Sequence, residues 1–360
     1  MGSVHAFHLL TSPRSRSMAV ATVTALFFSF FPAAMVFAFD TVEFFGTRFE
    51  AGMFSQAVAP TPVLSIPFGS DPHQVGGIDQ DKNRISDGIP FAFCADPHGN
   101  FWLLDTINQS LKQFSAAGQL VRNVSLKRLN HPEPLIARDF FVAPTGEIRL
   151  MCPMIGKVFL LSPTGEAVGE IEGLHDAIAI SGDPHGNLLV INPILDALQV
   201  FNDRAELVEE VRPAANLSEY TEGTGSPLGV RFDDHQVLLF RAETASPTFR
   251  EIPIATLSLA LPPEFKAYIT GAKILGRDTA GNIYLEITAG DDQGVVFQQR
   301  IYRLSAAGEP AEFLEIKARP YLAPELPRQF SVTPQGTVLT YEVSTTHFTL
   351  AAYSFPETGK

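Results

Sequence analysis

The chain has 360 residues, 45% of them hydrophobic, and a formal net charge of -13 from 26 Lys and Arg against 39 Asp and Glu. That balance, with no Lys/Arg run anywhere, argues against a nucleic-acid partner and leaves ample apolar material for one large repeat domain or two smaller ones. Gly and Pro, at 27 each, suit a fold with many turns.

The N-terminus reads as an export signal. Arg14 and Arg16 form a basic flank, residues 18–31 an apolar run, and Pro32 breaks it. Val36-Phe37-Ala38 then offers small residues at the two positions a signal peptidase reads, so residues 1–38 are expected to be removed. The alternative is an uncleaved anchor, because residues 18–39 are long enough to cross a bilayer. The expected location is therefore periplasmic or extracellular, or membrane-anchored through this segment. Cys94 and Cys152 could pair in an exported protein or remain as two buried thiols. Asn108, Asn123 and Asn216 begin Asn-x-Ser sequons, which matter only in a host that glycosylates exported proteins. Residues 39–61 have few repeat features and form a leader segment.

From residue 62 onward the chain repeats a phrase. Asp96-Pro97-His98-Gly99-Asn100 recurs as Asp183-Pro184-His185-Gly186-Asn187. Weaker copies stand at Ala143-Pro144-Thr145-Gly146-Glu147, Asp233-Asp234-His235-Gln236, Asp278-Thr279-Ala280-Gly281-Asn282 and Thr333-Pro334-Gln335-Gly336-Thr337. Turns of one type at roughly 40–55-residue intervals are the signature of a propeller. Before each turn comes one large apolar residue: Phe93, Phe140, Ile180, Val230, Leu275 or Phe330. A second turn follows in most units, as at Gly118, Gly165 and Gly308, so each unit holds four short strands. The sixth unit ends one strand short. Residues 62–68 resemble the outer strands of the other units and are expected to complete it and close the ring. The expected fold is thus all-β, a six-bladed propeller over residues 62–356.

The first unit carries a family resemblance. Pro90-x-Ala92-Phe93-x-Ala95-Asp96-Pro97-x-Gly99-Asn100-x-Trp102-Leu103-Leu104-Asp105-Thr106-x-Asn108-x-x-Leu111-x-x-Phe114 resembles an NHL repeat. Units three and five match in part, and two, four and six only weakly. The resemblance implies a six-bladed propeller, in agreement with the spacing. It further implies a binding platform for protein, RNA or carbohydrate. A minority of such propellers are enzymes: amidating lyases hold zinc through channel histidines, and related lactonases hold a divalent metal through Glu, Asn and Asp. Fold alone does not choose among these.

In a propeller, the inter-blade loops and the loops between second and third strands share one face, and the Gly-Asn turns lie on the other. His98, His185 and His235 then hold one repeat position in solvated turns. His131 and His175 lie in inter-blade loops on the loop-rich face, and His73 in the loop of residues 69–89 could join them as a weak metal site. The stronger signal stands eight residues before the turn Gly: Phe91, Arg138, Ile178, Leu228, Lys273 and Arg328. Three basic residues at one repeat position of an acidic chain, with Asp139 and Asp176 beside them, form a candidate channel-mouth site for a carboxylate, phosphate or acidic side chain. The competing reading is an internal network of ion pairs with Asp139, Asp176 or Glu342.

No nucleophile motif, phosphate-binding Gly loop or calcium loop is present. The expected function is an exported, non-enzymatic module without a cofactor. It would bind a protein or carbohydrate partner of the cell envelope or extracellular space through its loop-rich face. Inserts over residues 214–226 and 256–272 would enlarge that face. Membrane contact is expected only if the N-terminal segment stays. The alternative is a metal-dependent lyase or lactonase, using zinc or calcium at the channel mouth.

Overall fold

Each repeat unit exposes two apolar faces, and the fold follows from covering both. In the second strand of blade one, Phe101–Asp105, successive side chains point to opposite sides. Leu103 and Phe101 join a cluster with Leu339, Tyr341 and Phe348 of blade six. Trp102 and Leu104 join another with Phe140, Ile148 and Leu150 of blade two. The pattern continues around the molecule through clusters between blades two and three, three and four, four and five, and five and six. Six interfaces for six blades mean a closed ring, with no sheet face left over.

This arrangement is seen in a computed structural model that describes residues 41–45, 57–77, 90, 92–129, 131, 135–183, 185–221, 225–245, 248–260, 267–291, 296–316 and 328–355. The predicted export signal lies outside the described residues. Among the described residues no helix is long and apolar enough to cross a membrane.

All six sheets are antiparallel four-stranded blades, one of them with an added fifth strand. Blade one orders Phe93–Ala95, Phe101–Asp105, Ser110–Phe114 and Leu120–Ser125 from the axis outward. The closing blade is built as expected. Strand Thr61–Pro67 pairs antiparallel with His347–Tyr353, with Leu64 opposite Leu350 and Ile66 opposite Phe348. Leu64 and Ile66 enter the cluster between blades six and one. Upstream, Thr41–Phe45 runs parallel to Thr248–Ala260, the outer strand of blade four. Val58 bridges to Ile316 on the outer strand of blade five. The leader therefore touches the rims of blades four and five before entering blade six.

Blade four corrects the repeat register. Its innermost strand is Leu217–Thr221, within the segment expected to be a loop insert, and Pro227–Phe232 is its second strand. The turn at Asp233 thus joins strands two and three. It and His235 lie at the end of the ring opposite His98 and His185. Leu228 and Val230 leave the inner-strand positions assigned to them. The cause is local: Asp233 Oδ1 accepts the N–H groups of His235 and Gln236, as Asp96 and Asp183 do in their turns. Such a carboxylate-capped turn forms equally well at either end of a blade. Of the second expected insert, residues 256–260 and 268–272 are also strand, within Thr248–Ala260 and Tyr268–Arg277.

The repeated phrase is turn chemistry. Gly99, Gly186 and Gly281 hold φ of 78, 86 and 86°, a region that favours glycine. Asp96 Oδ1 accepts the N–H of His98 and of Asn100, each at 2.9 Å. Its Oδ2 accepts Asn100 Nδ2 at 3.0 Å, Trp102 Nε1 at 3.2 Å and Gln113 Nε2 at 2.9 Å. One carboxylate thus ties the turn to the second and third strands. In blade five the Tyr284 hydroxyl donates to Asp278 at 3.0 Å, taking the part of the Trp102 indole. Burial works to raise the Asp96 pKa, but the hydrogen bonds from Asn100, Trp102 and Gln113 prevail and hold it below the usual carboxylate range.

Asp96→Ala strands a buried indole N–H and a buried amide, so it should cost about 1–3 kcal/mol at neutral pH. The folded pKa is depressed, so the contribution of Asp96 is complete above its unfolded pKa of about 3.9 and is lost as pH falls through the lower folded value. Urea unfolding curves of wild type and variant should therefore converge on acidification below about pH 4. A gap that stays constant into acid would show that the ionised carboxylate is not the stabilising species.

Candidate functional site

The inner strands run from the loop-rich end of the ring toward the Gly-Asn turns, so residue number along them measures depth in the channel. Among the described residues, two cavities lie on the axis. The one at the loop-rich mouth has a volume of about 610 Å³ and is lined by Arg138, Ile178 and Gln329, just before the inner strands of their blades, and by Lys273 within that of blade five. Asn216, Leu217 and Ser218 of blade four and Phe232 and Glu286 on second strands complete much of its wall. The other, about 460 Å³, opens among the Gly-Asn turns and is lined by later residues such as Cys94, Ser181 and Arg277, together with Arg328.

Between these levels stands a clasp. Asp139, on the inner strand Asp139–Val142 of blade two, is fully buried. Its Oδ1 accepts the Phe140 N–H at 2.9 Å, and its Oδ2 accepts the Ile180 N–H of blade three at 3.0 Å. Arg328 enters from blade six, on the far side of the ring from blade three. Its Nε lies 2.8 Å from Asp139 Oδ1, off the line of a hydrogen bond, and its Nη2 donates to Oδ2 at 3.1 Å. The same Nη2 donates to the Ile180 carbonyl. Three blades meet at one carboxylate. Arg328 is 11% exposed, so this charge is committed to structure.

The three basic residues at the shared repeat position therefore divide. Arg138 and Lys273 are both exposed and line the same mouth cavity, from blades two and five. Arg328 and Asp139 form the clasp beneath it. Asp176 is exposed in the turn leading into blade three, at φ 62°, and does not line the cavity. Phe91 lies outside the described residues. The histidines also separate. His73 is exposed in the segment after the closing strand. His131 is half-buried in the loop before blade two. His175 is exposed, with its ring over Gly156, where an added Cβ would stand 2.5 Å from Nε2. Among the described residues, no three His, Cys, Asp or Glu side chains gather to hold a metal ion. Cys94 and Cys152 are free thiols, both pushed up to about 12 by burial.

Sequence reasoning did not find Glu286. It faces Lys273 directly across the strand pair and is half-buried in the cavity wall. Burial raises its pKa, opposed by a hydrogen bond from Gln299 and the charge of Lys273. A charged residue in the middle of an apolar second strand, Ile283–Gly290, was the available signal. The long loop after the closing strand is anchored by a different acid. Asp105 accepts the Gly76 N–H at 3.0 Å and pairs with Lys112 at 2.8 Å, and both side chains are 1% exposed. Asn108 Nδ2 reaches the Gly69 carbonyl at 2.8 Å. The Asp-x-x-Asn part of the repeat thus holds the preceding loop against the ring. Asn192 Nδ2 does the same in blade three, through the His175 carbonyl at 3.2 Å.

Fold and site together define a six-bladed β-propeller with a cavity at its loop-rich mouth. No protein-family model and no curated protein matches the sequence. Solved structures of similar fold include Kuenenia stuttgartiensis hydrazine synthase, at 13% identity and TM-score 0.46 over 73% of this chain and 80% of that one. A catalytically inactive virginiamycin B lyase from Staphylococcus aureus, solved with quinupristin, is 9% identical at TM-score 0.47 over 81% of this chain and 99% of that one. Kluyveromyces lactis Hsv2 is 8% identical at TM-score 0.42 over 70% of each chain. Likeness of this size assigns no activity to the chain.

Removing one partner of the clasp leaves a buried charge unpaired. Asp139→Ala should cost about 3–5 kcal/mol in chemical denaturation. Arg138→Ala, at an exposed position, should fall within about 0.5 kcal/mol of wild type. Equal effects of the two variants would contradict a structural role for the clasp and a solvent-facing one for Arg138.

Proposed function

We propose that the chain is an exported NHL-type propeller that acts as a binding module. Its loop-rich face takes a protein or glycan partner, and an anionic group of that partner enters the mouth cavity. One observation carries this reading: two exposed cations, Arg138 and Lys273, line a single cavity of about 610 Å³ on a chain of net charge -13. That volume lies in the range of small-molecule and side-chain pockets. A carboxylate or phosphate there meets a guanidinium on one side and an ammonium on the other. It is also offered amides from Asn216 and Gln329. Export rests on the N-terminal sequence pattern alone.

A metal-dependent lyase or lactonase is the second reading, and Glu286 is the group that favours it, as a half-buried carboxyl in the cavity wall. The donor set fits a divalent ion poorly. Glu286 is the one carboxylate among the described lining residues, and it faces Lys273, whose charge opposes a cation. His131, His175 and His73 lie outside the lining.

Titration calorimetry with oligogalacturonate and with polyglutamate, as a glycan and a peptide anion, tests the binding reading. At least one should bind. The Arg138→Ala/Lys273→Ala double variant should weaken that binding about tenfold or more while unfolding as wild type does. Binding unchanged in the double variant would overturn the reading. So would stoichiometric zinc or calcium that survives purification and whose removal by chelator lowers the melting temperature.

A further inference from the structure

The two ends of the ring differ in a way the cavity does not explain. Ile107, Met154 and Ile194 each follow the second strand of their blade at the same repeat position, two residues beyond Asp105, Cys152 and Asn192. They are 43, 66 and 73% exposed. Ile136 and Ile178, in the loops entering blades two and three, are each half exposed. All five stand at the loop-rich end and form an arc over blades one to three. Among the described residues, no exposed large apolar side chain stands in a Gly-Asn turn or in a turn between third and fourth strands. Those remaining lie on outer strands, beside the leader, or again at the loop-rich end. An apolar set confined to one end of a ring, on tips where polar residues serve equally well, marks an interaction surface.

The chemistry of the arc selects the occupant. Its tips are aliphatic, which suits apolar side chains of another protein better than sugar rings, whose faces stack on aromatics. At its inner edge Arg138 is exposed, and its guanidinium has no side-chain partner among the described residues. Lys273 stands across the cavity. The net charge of -13 works against an anionic lipid surface. We infer that this arc docks an acidic segment of a partner protein: apolar side chains rest on Met154 and Ile194, and a carboxylate reaches Arg138. The inference rests on the loop-rich face being the binding surface, and it chooses protein over glycan.

The test pans short random peptides displayed on phage against the purified full chain, then measures the affinities of the enriched peptides. Enriched sequences should carry Asp or Glu beside apolar residues. Met154→Asp/Ile194→Asp and Arg138→Glu should each weaken them about tenfold or more, with melting temperatures near wild type. Loss in Arg138→Glu alone would overturn the arc but leave the cavity reading standing. Loss in neither variant would overturn both. Sedimentation of the chain with vesicles of phosphatidylcholine, abolished by Met154→Asp/Ile194→Asp, would show the arc to be a membrane contact and overturn the inference.

Discussion

A four-stranded blade with two apolar faces cannot stand in water, and this constraint shapes the whole protein. Covering both faces of every blade requires a ring, and a ring requires its ends to meet. Leu64 and Ile66 on the closing strand supply that meeting, opposite Leu350 and Phe348. They also supply the sixth apolar interface, between the last blade and the first. Removing the strand would expose Phe348 and Leu350 together with the blade-one side chains packed on them. The closing strand thus completes blade six and helps cover blade one at the same time.

Closure brings six inner strands together at the axis, where a second constraint appears. Backbone and side chains from opposite blades crowd into one space, and a charge placed there must be paired. The Asp139–Arg328 clasp meets that demand by using a blade-six cation to satisfy a blade-two acid that already accepts the Ile180 N–H. It stands between the two axial cavities and leaves Arg138, Lys273 and Glu286 as the charged residues in the wall of the mouth cavity. Along the axis the basic residues divide: deep Arg328 is paired with a buried acid, and Arg138 and Lys273 line the mouth cavity.

Much of this was legible in the sequence. The six-fold turn phrase, the apolar residue before it and the missing last strand led to the ring and its closure, because each reports a local rule of turn or strand formation. The same local rule misled at Asp233. A carboxylate-capped turn does not encode which end of a blade it occupies, and the sequence between Thr221 and Pro227 carries no copy of the turn phrase to compete with it. The basic repeat position was visible as a pattern, but its division was not. Arg328 and Arg138 differ only in whether an acid from another blade lies within reach, and that follows from ring closure. Glu286 was hidden because it belongs to a second strand, outside the repeat register that the turn phrase sets for the first. The arc of Ile107, Met154 and Ile194 could be aligned by position, but its exposure depends on how far each turn projects.

Partners are proposed to meet this protein at the loop-rich mouth. Hydrogen–deuterium exchange of the full chain, with and without a saturating acidic-apolar peptide, reads that location most directly. The account predicts slowed exchange around residues 136–138, 153–156, 193–196 and 272–274, with the Gly-Asn turns at 96–100 and 183–187 unchanged. Protection centred on those turns instead, with the mouth unaffected, would contradict it.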